Sequence, residues 1–254
     1  MKPKRVIITA GGSGIGLAIA QGFLAAGDRV AVSDIDPLHL EAAGEQNPGL
    51  VGYVADAGDP QAMEAFVGQA CAELGGVDVL VNNAGIGGPA AAVEDIEYTD
   101  WDACIRVNLS GMFYAVRQVV PPMKQQRSGC IINIATASVR TGIPLRLPYV
   151  ASKAGVLGLT HNLARELGPY NIRCNALLPG MIDNPRGRRL LESHAGDNGL
   201  SLAAAEEQFK QYISMRCWID PSEIADAALF LASDAGRHVT AQEIAIDGNC
   251  EWEQ

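Results

Sequence analysis

The stretch Arg5-Val6-Ile7-Ile8-Thr9-Ala10-Gly11-Gly12-Ser13-Gly14-Ile15-Gly16 is a short apolar run that leads straight into a glycine-rich turn, and a helical pattern follows over residues 15–26. Glycine in such a turn removes Cβ atoms, so that backbone can approach a pyrophosphate. The helix start adds unpaired N–H donors and a partial positive charge. A glycine-rich turn also serves as a plain tight connection between strand and helix. Its place at the head of a βαβ unit is what a dinucleotide fingerprint requires. Gly11, Ser13, Gly14, Ile15 and Gly16 are therefore candidate cofactor contacts.

The same alternation continues along the chain. Runs rich in Val and Ile at 29–33, 50–54, 77–81, 129–135, 172–177 and 243–246 alternate with amphipathic patterns at 62–74, 101–123, 149–167 and 222–232. This order predicts an α/β, Rossmann-type, doubly wound architecture: a seven-stranded parallel sheet with helices on both faces, in a single domain over residues 1–254. Residues 184–216 are a polar, partly helical insertion after the sixth strand. Sheets of this kind bind ligands at the carboxyl ends of their strands, so the insertion is expected to act as a substrate lid.

Composition narrows the partners. With 254 residues, 48% of them hydrophobic and 19% charged, the chain can bury a large core. A net charge of -10 argues against nucleic acid or an anionic membrane, which both demand a basic face. No apolar run approaches the ~20 residues of a membrane span. Met1 to Arg5 leads into a strand rather than an apolar leader, so a cytoplasmic location is expected. Cys71, Cys104, Cys130, Cys174, Cys217 and Cys250 form no C-x-x-C pair, and none stands at metal spacing from a histidine. They are expected to be scattered reduced thiols, with no metal site.

The second strand ends Val32-Ser33-Asp34-Ile35-Asp36. Asp34 lies about 20 residues past the glycines, where an acid accepts hydrogen bonds from the adenosine ribose. A 2′-phosphate there would face Asp34, with Asp36 nearby and no Arg or Lys between them. NAD is therefore expected over NADP.

With these residues in view, the chain resembles the short-chain dehydrogenase/reductase family in its compact form, over essentially its whole length. The family's T-G-x-x-x-G-x-G appears as Thr9 to Gly16, with Ala10 in place of the first glycine; alanine is tolerable if the backbone there does not need positive φ. Asn82-Asn83-Ala84-Gly85 matches N-N-A-G, which implies that Asn83, Ala84 and Gly85 line the cofactor. Asp56-Ala57 falls where the family sets an acid against the adenine. Asn108 matches a helix asparagine, Tyr149 to Lys153 matches Y-x-x-x-K, Pro179-Gly180 with Ile182 matches the turn beside the nicotinamide, and Ile246-Asp247-Gly248 the C-terminal strand signature.

The resemblance implies an NAD-dependent oxidoreductase that interconverts a secondary alcohol and a ketone, with Asn108, Thr136, Tyr149 and Lys153 as candidate catalytic residues. Tyr149 and Lys153 are four apart and share a helix face. A free tyrosine has a pKa of about 10; a nearby ammonium and an oxidised nicotinamide favour the phenolate, which can then carry the hydroxyl proton. By resemblance, Lys153 also holds the nicotinamide ribose and Asn108 anchors a water that links Lys153 to solvent. The family's substrate-holding serine lies thirteen residues before the tyrosine, and Thr136 stands there. Ser138 points to the same side if the strand persists. Asn184 replaces the family's threonine after Pro-Gly and keeps a donor.

Arg140 and Arg146 lie near the expected pocket, and Arg186, Arg188 and Arg189 lie on the lid. Arginine forks suit carboxylate, phosphate or sulfonate; solvated loops or subunit contacts are the plainer explanation. A small polar substrate (a polyol, sugar, sugar acid or hydroxy acid) is expected, held by Thr136, Ser138, Arg146, Tyr149 and Asn184. Trp218 and the tail with Trp252 are candidates to close the site; Trp252 also suits a neighbouring subunit. The rival readings are a 3-oxoacyl-carrier reductase, a non-catalytic NAD-binding regulator and a longer-chain epimerase or dehydratase type. A homotetramer is expected. Family members of this size pair through the two long helices, and Phe113, Ala115, Gly155 and Gly158 suggest a second apolar face on them.

Overall fold

Every residue of β4 (Val79–Asn82) and β5 (Gly129–Ile134) is buried, as in strands covered on both faces. The computed structural model describes residues 2–251, so Trp252 lies outside the described residues. β4 and β5 join β1 (Arg5–Ile8), β2 (Arg29–Asp34), β3 (Leu50–Val54), β6 (Ile172–Pro179) and β7 (Glu243–Ile246). All seven pair in parallel, in the order β3-β2-β1-β4-β5-β6-β7. Val6 stands between Val30 and Val79, and Ile8 between Val32 and Val81.

Strand alternation divides the core in two. Val6 and Ile8 pack with Phe23, Ile224 and Leu231, whereas Ile7 packs with Met63, Phe66 and Val119 on the other face. Helices α1 (Gly14–Ala25) and α10 (Pro221–Ala232) cover the first face; α3 (Pro60–Leu74) and α5 (Gly111–Gln126) cover the second. Several helices begin at an Asp-Pro pair: Asp59 accepts from Gln61 N and Ala62 N, and Asp220 forms a capping box with Glu223. The same device starts α2 (Pro37–Gln46), where Asp36 accepts from Leu38 N. Hydrophobic periodicity does not reveal α2, because Ala43 is its one fully buried residue.

The pattern over 101–123 resolves into three pieces. They are α4 (Tyr98–Ile105), a π turn over Arg106–Ser110, and α5. The widened turn carries Asn108 inward to complete burial. The long helix α7 (Leu147–Leu167) begins at Pro148 and carries Tyr149 and Lys153. The second apolar face expected on these helices is smaller than the sequence suggests. Ala115 lies in the core, and a Cβ at Gly155 would meet Leu109 of the same chain. Phe113 remains about half exposed, and Gly158 faces open space.

The insertion folds as α8 (Pro185–Asp197) and α9 (Leu202–Gln211), which enclose a small cluster of Leu191, Ala195 and Ala205 with Phe209 and Trp218. No helix among the described residues is long and apolar enough to cross a membrane.

Strand order reverses between β1 and β4, which opens a crevice beyond their carboxyl ends. The turn entering it is strained: Ala10 has φ 49°, in the left-handed region. The proviso attached to Ala10 from sequence is thus not met, since the backbone does adopt positive φ there. A side chain in that region costs roughly 1–2 kcal/mol, against about 0.4–1 kcal/mol of extra unfolded-chain entropy for glycine. Ala10→Gly should therefore stabilise the fold by about 0.5–1 kcal/mol, raising Tm by about 1–4 °C in a thermal melt. A lower Tm in the variant would contradict this account of the turn.

Candidate active site

The crevice is tied together across its floor. Thr9 Oγ1 accepts from Asn83 N at 2.9 Å and Ala84 N at 3.0 Å, and Asn83 Nδ2 donates to Ala10 O at 2.9 Å. These bonds hold the glycine-rich turn against the loop after β4. Gly16 has no room for a side chain, because a Cβ would strike Ala10 O, and Gly14 takes φ 55°. Ser13 is the N-cap of α1, yet its side chain makes no capping bond. The result is a bare helix start bordered by glycine, which fits a dinucleotide pyrophosphate. Ile15 packs on the core beneath it.

At the end of β2, Asp34 is buried and accepts from Gly12 N and Asp36 N, each at 3.1 Å. His39 Nδ1 lies 3.5 Å from Asp34 and its Nε2 3.9 Å from Asp36. His39 has no motif of its own. The Asp36-Pro37 helix start is the signal that places it in the first turn of α2, beside both acids. Asp56 accepts from Gly58 N at 2.7 Å, and Ala57 packs against the core near Gly111.

The catalytic candidates converge at the ends of β4 and β5. Lys153 is buried, and its Nζ donates to Ile134 O at 2.6 Å. A Cβ at Gly85 would come within 3.2 Å of Lys153 Nζ and 3.3 Å of Asn108 Oδ1, so glycine there lets both side chains close on the loop. Asn108 accepts from Ile86 N at 2.7 Å and donates to Ile86 O and to Ser152 Oγ; Ser152 Oγ in turn donates to Tyr149 O. The asparagine thus links the β4 loop to the first turn of α7. Ser152, the variable position inside Y-x-x-x-K, is a member of this chain of bonds that the motif alone does not mark.

Ser138 reaches the site by a different route from the one expected. The strand stops at Ile134, and Ser138 opens the short helix α6 (Ser138–Thr141). A turn brings the hydroxyls together: Thr136 Oγ1 donates to Ser138 Oγ at 3.2 Å and accepts from Ser138 N at 3.3 Å. Beyond β6, Pro179 O accepts from Ala137 N, Gly180 N donates to Ile246 O, and a Cβ on Gly180 would come within 2.6 Å of Asp247 Cα. Ile182 is buried and bridges Ile219. Asn184 caps α8 by accepting from Gly187 N at 2.8 Å, and its Nδ2 faces Gly14. It therefore stands across the crevice from the glycine-rich turn.

The arginines separate by partner. Arg188 is bound to Asp183 at 2.7 Å and Glu206 at 3.4 Å and lies 4.5 Å over Trp218, whose Nε1 donates to Glu206. It and Trp218 hold α8 to α9. Arg146 donates to Gly88 O at 3.1 Å, and Arg186 lies 5.9 Å from the Tyr149 ring. Among the described residues, no group of three or more His, Cys, Asp and Glu side chains forms a metal site, and the six cysteines are unpaired.

A family model described as "Enoyl-(Acyl carrier protein) reductase" matches residues 9–249. The chain belongs to the short-chain dehydrogenase/reductase family. Like other short-chain dehydrogenases, it is a nicotinamide-dependent oxidoreductase that acts on CH–OH groups. It is 38% identical over 252 residues to a 3-oxoacyl-[acyl-carrier-protein] reductase of Thermotoga maritima, covering 98% of each chain. It resembles NAD+-bound xylitol dehydrogenase with a TM-score of 0.90 at 30% identity, covering 96% of this chain and 98% of the other. An actinorhodin polyketide ketoreductase with NADPH is similar at TM-score 0.90 and 30% identity, with 96% of each chain covered.

The surroundings of Lys153 carry a testable consequence. Burial first, and then the Arg186 guanidinium, lower its pKa from 10.5 to about 7. Between these values the unfolded chain binds more protons than the native one, so this group makes stability rise with pH across that window, with the full penalty present below about 7. Lys153→Met removes the effect. The Tm difference between variant and wild type should shift in favour of the variant at about pH 6 relative to about pH 9.5. A difference that does not change with pH would rule out the buried charge as its cause.

Proposed function

We propose that the chain is an NAD-dependent dehydrogenase that interconverts a small polar secondary alcohol, such as a polyol, sugar, sugar acid or hydroxy acid, and its ketone. The observation that carries this is the placement of Tyr149 and Lys153 one turn apart on α7, with Lys153 anchored to Ile134 O beside Gly85 at the crevice. When bound, the nicotinamide takes up or returns the hydride. Tyr149 Oη takes the hydroxyl proton as the alcohol is oxidised and gives it back in reduction. Lys153 favours the phenolate of Tyr149 and holds the nicotinamide ribose. Thr136 Oγ1 positions the substrate oxygen, and Ser138 orients Thr136. Asn108 keeps the β4 loop and α7 in register, and Asn184 reaches the coenzyme from the start of α8.

NAD is the coenzyme in this proposal because Asp34 is a buried carboxylate already fixed by Gly12 N at the ribose end. A 2′-phosphate there would meet a like charge at close range. Residues 184–216 serve as the substrate lid, in a cytoplasmic homotetramer. Phe113, exposed on α5, and Leu147, exposed at the start of α7, support the shared helix interface. A second reading, reduction of a 3-oxoacyl group, draws support from an apolar recess of about 420 Å³ lined by Ala91, Val93, Ile143, Leu145, Leu147 and Val150.

Two experiments test the proposal. Tyr149→Phe should keep NAD affinity and lower turnover of the best alcohol roughly 10²–10⁴-fold; a variant with more than about a third of wild-type turnover would remove Tyr149 from the role. Wild type should bind NAD more tightly than NADP, and Asp34→Ala should narrow that preference about tenfold, or about 1.4 kcal/mol. A wild-type preference for NADP would overturn the assignment of Asp34 and favour the acyl reading.

A further inference from the structure

Two guanidinium groups from separate elements meet at one point of the site wall. Arg146 precedes α7 and donates to Gly88 O at 3.1 Å and Gly87 O at 3.5 Å. Arg186, on the first turn of α8, donates to Gly85 O at 3.4 Å. A Cβ built on Gly87 would lie 2.9 Å from Arg186 Nη2 and 3.7 Å from Arg146 Nη1, so both forks converge on the same strip of backbone. Arg186 also stands 5.9 Å from the Tyr149 ring, directly beside the proton carrier proposed above.

Neither arginine has a carboxylate within 4.0 Å among the described residues, although the chain carries a net charge of -10. Arg188, two residues on from Arg186 and pointing to another side of α8, shows the usual arrangement, with Asp183 and Glu206 in attendance. Arg186 is exposed and Arg146 half-buried, and each fork spends donors only on backbone carbonyl oxygens, which leaves further N–H groups of both free for an anion. The backbone also bears strain in placing one of them. Leu145 has φ 64°, fixed by Ala91 N donating to Leu145 O at 3.0 Å, and this left-handed residue turns the chain into Arg146. Strain of this kind gathers at ligand sites.

We infer that Arg186 and Arg146 form an anion subsite that selects a hydroxy acid, binding its carboxylate a few bonds from the carbon that Tyr149 serves. This inference rests on the proposed dehydrogenase reading and names its substrate class within the polar set. The carboxylate takes a forked pair of bonds from Arg186 and a further bond from Arg146. Its negative charge also offsets the guanidinium that depresses the proton affinity of Lys153, so the bound acid helps to keep Lys153 an ammonium beside Tyr149. The pyrophosphate of a bound coenzyme would be the competing anion for these forks.

The test compares 2- and 3-hydroxy acids of about four to six carbons with their carboxamides and with neutral polyols, using NAD. Wild type should favour each productive acid over its amide about tenfold or more in kcat/KM. Arg186→Gln should raise KM for the acid about tenfold, level the acid-to-amide ratio and leave the dissociation constant of NAD within about threefold. An unchanged ratio in the double variant of Arg186→Gln and Arg146→Gln overturns the subsite, as does wild-type preference for neutral polyols, which leaves the dehydrogenase reading standing. Weakened NAD binding with the acid preference intact also overturns it and assigns the arginines to the pyrophosphate. If no alcohol is turned over, the dehydrogenase reading fails, and calorimetric titration of the acids into the NAD-loaded chain still decides the subsite. Binding lost in Arg186→Gln supports it; binding that is equal in both proteins, or absent from wild type, overturns it.

Discussion

The hydroxyl of Thr9 accepts two backbone hydrogen bonds from the loop after β4, and the rest of the site is arranged around that tie. It lies at the point where strand order reverses, the one place where a parallel sheet leaves an open crevice between consecutive crossovers. Asn83 adds a second link by donating to Ala10 O. Together they hold the glycine-rich turn, where Gly16 has no room for a side chain and Ala10 adopts a left-handed conformation.

The second organising element is the loop from Ala84 to Gly88, which receives side chains from three directions. Asn108 grips Ile86 from the π turn, Lys153 closes on Gly85 from α7, and Arg146 and Arg186 reach Gly85 to Gly88 from the outer side. Three cations therefore border one short stretch of backbone. Their mutual repulsion is offset by carbonyl oxygens at Ile134, Gly85 and Gly88, and burial then makes the Lys153 ammonium costly.

Around this centre the chain uses separable devices. Asp-Pro starts fix helix ends without reference to the crevice, and the Arg188, Glu206 and Trp218 cluster joins α8 to α9. The inserted helices α8 and α9 carry their own small apolar cluster, separate from the two that cover the sheet. Asp36 illustrates how one residue serves two such devices: it caps α2 and stands beside His39 at the ribose end of the crevice.

By itself, the sequence determined the parallel seven-stranded sheet, because short continuous runs of Val and Ile mark strands buried on both faces and helices with period 3.6 record which side must be buried. It also determined the glycine-rich turn between β1 and α1 and the placing of Tyr149 and Lys153 on one helix, because those features are local: their spacing is set by one turn or one helix. The short helix α2 escaped, since a surface helix with one buried residue leaves almost no periodic trace. The break at Asn108 escaped because a π turn adds a residue without changing composition. Only the tertiary structure decided that Ala10 is left-handed, that Ser138 meets Thr136 through a turn, and that Arg188 is paired while Arg146 and Arg186 face the site. The Thr136–Ser138 contact depends on where β5 ends and the chain turns, and the arginine partners on the direction of long, flexible side chains; neither is encoded in the spacing of neighbouring residues.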